Sequence, residues 1–472
     1  GLPEFIRLVR EKNEQISYRA AQLAISQEAV SGAKAIFEPA FVGSIKKEEI
    51  NRQNTVQELV AQQFIAEFEE ESEAYQGAIE GLVPTGGRLR MGYSQRDFTN
   101  SIEKQYGIDS ESQTGLAANF SQPLLKGGGV STTMAEIKVT EAEADIEFQN
   151  YRNQMMQVIG DAISSYWDLH IAGEKYDVIE GSVDLAAKLL SHNRVRVATG
   201  KMAETEVLEA EAGLAVRKSL QSAAEQQVVQ ATNNLRGLFS VSVADNNLTI
   251  EPTDRIEIKP LETDFDKSLA KAFKLRPEYL SSRKKIERED IRIGYAKNQR
   301  WPQLDLEASY GLNGLATDSR DSLDTLLTQD YPSWAVGLEL RIPLGGNIKG
   351  RSELEASRQK KRQALLELKA VEISLANTMD TALRGVKSAL DQLQEYTSVI
   401  DFNERLLEAE VARFRAGKSN SRLVQEKEGN LIQAKEARFD SLLKYKKASL
   451  GLELTEGTLL LNHGIEIMEV DL

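Results

Sequence analysis

Trp334-Ala335-Val336-Gly337-Leu338-Glu339-Leu340-Arg341-Ile342-Pro343-Leu344-Gly345-Gly346 changes its rule part-way along. Up to Ile342 the apolar residues Trp334, Val336, Leu338, Leu340 and Ile342 alternate with Gly337, Glu339 and Arg341, the period-2 signature of a strand with two unlike faces. Pro343 ends that pattern, and two glycines lead into a helical run from about Lys349 to Arg413. Upstream, Leu304, Leu306, Ala308 and Tyr310 alternate in the same way with Gln303, Asp305, Glu307 and Ser309. A sheet on a soluble core shows this alternation too. Full charges on the polar face, and Trp334 and Tyr310 on the other, fit a barrel with a watery lumen and an aromatic girdle.

The same order occurs earlier in the chain. Displaced by 220 residues, Phe120-Ser121-Gln122-Pro123-Leu124 falls on Leu340-Arg341-Ile342-Pro343-Leu344, and Gly127-Gly128-Gly129 follows as Gly345-Gly346 does. Displaced by 263, Ala33-Lys34 and Pro39 fall on Ala296-Lys297 and Pro302. Displaced by 217, Arg196, Gly200, Lys201, Val207, Glu211 and Leu214 meet Arg413, Gly417, Lys418, Val424, Glu428 and Leu431. The chain is therefore an internal duplication. Residues 1–238 read as helix, strands within 40–123, a long helix 128–196, a turn 198–202 and a helix 203–236. Residues 265–452 repeat this as helix, strands within 303–342, a long helix 348–413, a turn 415–420 and a helix 421–452. The linker 239–264 and the tail 453–472 stand outside the copies.

Each long run holds apolar residues at three- and four-residue steps: Tyr151, Met155, Val158, Ala162, Tyr166 and Leu169 in the first, Leu375, Met379, Ala382, Val386, Ala389 and Leu393 in the second. About 65 helical residues span roughly 100 Å, far beyond a globular helix of about 11–12 residues. Gly200 and Gly417 suit left-handed C-caps, after which each helix folds back as an antiparallel hairpin. The helices alone fit a soluble coiled-coil scaffold equally well.

Two strands per copy make four per chain, too few to close a barrel, so identical chains are expected to share one. The first copy holds 43 additional residues between its prolines. Within them Tyr75, Gly77, Ile79, Gly81 and Val83 alternate, Pro84-Thr85-Gly86-Gly87 turns, and Leu89, Met91 and Tyr93 alternate again. Whether Tyr75–Phe98 adds two strands to the wall or decorates one end stays open. The acidic run Glu69-Glu70-Glu71 reads as solvated surface.

Composition narrows the rest. A net charge of −14 and a pI near 5.1 argue against a nucleic-acid partner. With no cysteine in the sequence, neither disulfides, thiolate chemistry nor a lipid-modified N-terminal cysteine is expected. No window is apolar enough for a transmembrane helix, which leaves a barrel open. His170, His192 and His463 lack metal-ligand spacing, Gly127–Ser131 lacks the Lys of a phosphate loop, and no nucleophile, base and oxyanion donors assemble. Neither enzyme chemistry, cofactor nor metal is expected. Gly1-Leu2-Pro3-Glu4-Phe5 opens straight into a helical pattern with no secretory signal ahead of it, as in a cytoplasmic protein or a mature chain after cleavage; the rest of the reading favours a signal peptide already removed.

The arrangement resembles the TolC family of outer-membrane efflux proteins over nearly the whole chain. The resemblance rests on Gln122-Pro123-Leu124-Leu125 with its glycines, and on Arg413-Phe414-x-x-Gly417-Lys418 running on through Val424, Leu431 and Ala434, with Arg196 through Leu214 as its first copy. It implies a fold that is mainly α with a membrane β-barrel portion. Three chains would form a periplasmic α-barrel of twelve helices, continued by a shared twelve-stranded barrel in the outer membrane. The linker and tail would make a mid-barrel belt. The turns bearing Gly200, Lys201, Gly417 and Lys418 would meet a periplasmic adaptor, which connects to an inner-membrane pump. Leu304, Leu306, Tyr310, Trp334, Val336, Leu338 and Leu340 would face outer-membrane lipid. The family narrows its inner mouth with acidic residues six and nine positions after the second turn's glycine, here Leu423 and Glu426. Glu206 and Glu209 occupy those places after the first turn, so Glu206, Glu209, Glu426, Arg413 and Arg422 form a candidate gate. Function follows as a passive exit duct of a tripartite efflux or type I secretion system. A soluble coiled-coil scaffold and a periplasmic adaptor are its rivals.

Overall fold

In a computed structural model, residues 1–61, 66–239, 250–254, 257–258, 264–465 and 467 are described. Six strands form one antiparallel sheet: β1 Ala40–Gln53, β2 Glu67–Leu82, β3 Arg88–Asn100, β4 Glu111–Pro123, β5 Gln303–Ala316 and β6 Pro332–Arg341, hydrogen-bonded in chain order. The helices in chain order are α1 Leu2–Lys12, α2 Glu14–Lys34, α3 Val56–Ala61, α4 Ser101–Gln105, α5 Val130–Thr133, α6 Ala135–Ala198 and α7 Thr205–Arg236 from the first copy. The second gives α8 Phe265–Leu275, α9 Pro277–Gln299, α10 Ser319–Thr328, α11 Ile348–Arg415, α12 Ser421–Glu456 and α13 Leu459–Asn462. None of the described helices is long and apolar enough to cross a membrane.

The two strands expected in each copy are β1 and β4 in the first, and the hairpin left open within Tyr75–Phe98 forms two more. The additional residues supply β2, β3 and the turn between them, and the hairpin is an internal part of the sheet. Its turn closes with the amide of Gly86 donating to Val83 O at 2.8 Å, and Gly86 takes φ +90°, which a side chain resists. The acidic run falls on β2, where Glu69 and Glu71 are exposed to solvent and Glu70 pairs with Arg96 of β3. A register without bulges keeps every strand's faces aligned. One row crosses all six strands through Phe41, Ile79, Met91, Ala118, Tyr310 and Trp334. The adjoining row, pointing the other way, holds Ala40, Glu80, Arg90, Asn119, Ser309 and Ala335.

Toward the β2–β3 end opposite the Gly86 turn, the apolar face gives way to polar residues, and α10 packs there on β4 and β5. Asp318 starts α10 by accepting from the amides of Arg320 and Asp321, and Thr114 on β4 donates to Ser322 O at 2.9 Å. Gly314 lets the helix come that close, because a Cβ there would lie 2.1 Å from Ser322 O.

The chain divides into two compact units: residues 26–144 with 284–365, which contain the sheet, and residues 1–25, 145–283 and 366–471. The second unit is cored by the seams of its long helices. One cluster joins Phe5, Ile6 and Val9 of α1 to Met156, Ile159, Ala162 and Tyr166 of α6, and to Leu235 and Leu459. Another joins Leu375, Met379, Val386 and Ala389 of α11 to Tyr445 and Leu452 of α12 and Ala272 of α8. Asp254 ties the linker in: it accepts from the amide of Leu2 at 2.6 Å and from the Tyr166 hydroxyl. Burial and this carboxylate push the Tyr166 phenol up to about 12. Residues 240–249, 255–256, 259–263, 466 and 468–472, much of the expected belt, lie outside the described residues.

α6 has 64 residues and α11 has 68, each without a break. At 1.5 Å per residue both approach 100 Å. The first was expected to begin near residue 128; instead the short α5 precedes it, and α6 starts at Ala135.

Candidate functional site

The two turns between long helices share one backbone design. In the first, the amide of Gly200 donates to Val197 O at 2.9 Å and that of Lys201 to Arg196 O at 2.9 Å, with Gly200 at φ +70°. In the second, Gly417 donates to Phe414 O at 3.0 Å and Lys418 to Arg413 O at 2.9 Å, with Gly417 at φ +76°. Both are Schellman closures, in which a left-handed residue turns the last amides back onto orphan carbonyls. Lys201 and Lys418 are exposed.

Side chains then draw the two hairpins together. Fully buried Asn193 on α6 donates its side-chain amide to Glu206 O at 3.0 Å and to Ser421 Oγ at 2.6 Å. The Glu206 carboxylate accepts from the amide of Ser421 at 3.2 Å, at the first residue of α12. A carboxylate is favoured at that end, where free amides and the helix dipole are positive. Nearby, Arg217 of α7 and Glu428 of α12 form a buried ion pair, each side chain under a tenth exposed. Burial pushes the Glu428 carboxyl above its ordinary value, against the opposing pull of Arg217. Phe414 lies beneath the Arg196 guanidinium at 5.8 Å and beside the His192 ring at 5.9 Å.

The residues expected at a gate do not converge on one another. Glu206 caps α12, and Arg413 pairs with Glu410 on its own helix at 3.2 Å. Exposed Glu426 pairs with neighbouring Lys427 at 3.1 Å, and Glu209 and Arg422 are exposed. Asn193, Arg217, Ser421 and Glu428, which hold the hairpins, were not singled out from the sequence for this role. The available signal was a polar residue placed on an apolar helical seam.

Within the sheet unit, Leu304, Leu306, Tyr310, Trp334, Val336, Leu338 and Leu340 share one face by register. Trp334 is 74% exposed and Leu338 66%, although both are large apolar side chains. Phe41 and Ile79 extend this face across β1 and β2, both exposed. An apolar surface this large on one side of a sheet needs a non-aqueous neighbour. Lining the other face, Glu80, Arg88, Arg90, Asn119, Glu307 and Ser309 border a cavity of about 800 Å³.

The profile of the family described as outer membrane efflux protein matches residues 81–240 and 269–458, one segment in each copy. The chain belongs to that family. No curated protein matches it in sequence. Among solved structures it is similar to the outer membrane channel CmeC of Campylobacter jejuni, at 15% identity over 97% of this chain and 85% of that one, with TM-score 0.67. VceC of Vibrio cholerae matches at 14% identity over 97% and 96%, with TM-score 0.66. For the MtrE outer membrane channel of Neisseria gonorrhoeae the figures are 13%, 97%, 88% and 0.64. At these identities the likeness is one of fold: mainly α, internally duplicated, with long helical hairpins and a β-barrel portion. This outer-membrane efflux protein is a channel component located in the outer membrane.

Proposed function

We propose that three copies assemble into a passive exit duct, serving an inner-membrane pump through a periplasmic adaptor in a tripartite efflux or type I secretion system. The observation that carries this is a single chain combining a sheet apolar on one face and charged on the other with unbroken helices of about 100 Å. The apolar face, including Leu304, Leu306, Tyr310, Trp334, Val336, Leu338 and Leu340, would lie against lipid, and the charged face would line the lumen. The long helices would enclose the periplasmic conduit. Gly200-Lys201 and Gly417-Lys418 supply two similar turns for the adaptor. Conduction along such a path needs no chemistry, and the energy comes from the pump. With Glu206 engaged as a cap, Glu209 and Glu426 are the carboxylates left for an acidic inner ring, which would favour cations.

Purification decides the reading. A heat-resistant trimer on a gel, dependent on detergent for solubility, is expected. A monomer soluble without amphiphile would overturn it in favour of a coiled-coil scaffold or an adaptor.

A further inference from the structure

The family's wall, as implied by the resemblance, takes four strands from each chain; among the described residues this chain has six. We propose that the β2–β3 hairpin is built into the transmembrane wall, so that three copies close a barrel of eighteen strands. The proposal rests on the trimeric reading above and adds to it the width of the exit.

Register supplies the first argument. The row Phe41, Ile79, Met91, Ala118, Tyr310, Trp334 sets two residues of the hairpin level with the girdle aromatics of β5 and β6. Ile79 and Met91 are each more than half exposed, as are Phe41, Tyr310 and Trp334. A hairpin standing above the membrane would have no reason to carry an apolar band at that level on that face alone. The opposite face of the same hairpin carries Glu80, Arg88 and Arg90, which line the cavity together with Asn119 and Glu307. Both faces of the additional strands thus match those of β4–β6.

The second argument concerns the edges. Every residue of β6 is exposed, and its outer face is Trp334, Val336, Leu338 and Leu340. A long apolar edge strand invites pairing. Six strands alternating in direction leave β1 and β6 antiparallel, so β6 of one copy can pair with β1 of the next and the ladder continues without a parallel junction. The occupant of each edge is therefore a second copy of this chain. Barrel diameter grows roughly linearly with strand number, so eighteen strands give a wall about 1.5 times as wide as twelve. At that width the outer-membrane segment passes bulky solutes freely, and size selection falls to the inner mouth and the pump.

Because the chain has no cysteine, an introduced thiol reports alone. Ile79→Cys and Glu80→Cys are made separately in the full chain, together with Met91→Cys and Arg90→Cys, and reconstituted in liposomes. For a wall segment, a water-soluble maleimide labels Glu80→Cys and Arg90→Cys, while a lipid-soluble reagent labels Ile79→Cys and Met91→Cys. If the water-soluble reagent labels all four in a protein that still runs as a heat-resistant trimer, the hairpin lies outside the wall and the eighteen-strand barrel is overturned, with the trimer intact. Loss of the trimer in the unlabelled parent protein would instead overturn the preceding reading. Excising residues 67–100 and joining β1 to β4 should cut the polymer size excluded at the outer mouth to about two thirds. An unchanged cut-off counts against the proposal. Should the excised chain not assemble, the labelling pattern decides.

Discussion

Glu211 and Glu428 occupy the same position in the two copies, 217 residues apart, and now do different work. Glu211 meets Arg194 at 2.7 Å across the first hairpin, with side chains 44% and 61% exposed. Glu428 meets Arg217 in the buried seam between the two hairpins. The surrounding turns keep one backbone skeleton, down to the pair of amides folded onto the last carbonyls. Duplication has thus preserved what the main chain requires and released the side chains to distinguish inside from outside. Two identical hairpins would pack with no preferred partner face, whereas the buried Arg217–Glu428 pair joins one particular face of each.

The sharpest test of that difference is to break both pairs. Arg217→Ala leaves Glu428 buried without its partner, and should cost about 3–5 kcal/mol, read as a large fall in melting temperature. Replacing both members, R217M with E428L, should recover most of the loss, since a well-packed apolar pair substitutes for buried charges. Arg194→Ala should cost about 0–1 kcal/mol, as exposed pairs do. Equal losses at the two sites would erase the proposed division of labour.

Titration sharpens the same contrast. Burial holds the Glu428 carboxyl above its ordinary value of 4.5, so the folded state favours its protonated form. Stability from this group is fully present below about 4.5 and is lost as pH rises through the elevated folded value. Melting temperature measured against pH should therefore carry a component that falls with rising pH in that window in the parent and is absent in Glu428→Gln. Identical slopes for the two proteins would show that burial does not govern this carboxylate.

How far the sequence reached depends on how local each signal was. Gly200 and Gly417 were legible as caps because a left-handed residue needs no distant partner. Alternation in Trp334–Arg341 marked a two-faced strand at once. β1 was harder: Lys46-Lys47-Glu48-Glu49 puts charge on both faces beyond the apolar band, so no period marks its second half. The acidic start of β2 hid a strand for the same reason, as its side chains answer cations on neighbouring strands, Glu70 with Arg96 and Glu71 with Lys47. At the turns, the role of Glu206 depended on which helix lies opposite it, and nothing within its own copy supplies that. A capping carboxylate and a gating carboxylate look alike until the recipient amide, that of Ser421, is located.

The shared turn skeleton makes its own prediction, of intermediate size. Gly200→Ala and Gly417→Ala each force a side chain into the left-handed region, at about 1–2 kcal/mol. Because φ is +70° at one and +76° at the other, the two costs should agree closely, with Asn milder than Ala at both. Thermal melts of the four variants check this. A turn that tolerates Ala at one site only would mean that the copies have diverged in backbone as well as in side chains.

The smallest effect separates the cap from the ring. Six residues after each turn glycine stand Glu206 in the first copy and Leu423 in the second; nine residues after stand Glu209 and Glu426. In the second copy Asn420 caps α12 through the amide of Leu423 at 3.0 Å, while Glu206 reaches the amide of Ser421 from the other hairpin. Helix α7 has no side-chain cap of its own. Glu206→Gln keeps an acceptor oxygen but loses the charge favoured at a helix N-terminus, so it should lose about 0.3–1 kcal/mol, with cation selectivity in planar bilayers nearly unchanged. Glu426→Gln, on an exposed side chain, should move stability by less than about 0.5 kcal/mol and lower cation selectivity. If Glu206→Gln shifts selectivity and leaves the melt untouched, its carboxylate faces the lumen and the cap belongs to Asn420 alone. The first copy would then gate with the residue that the second has replaced by leucine.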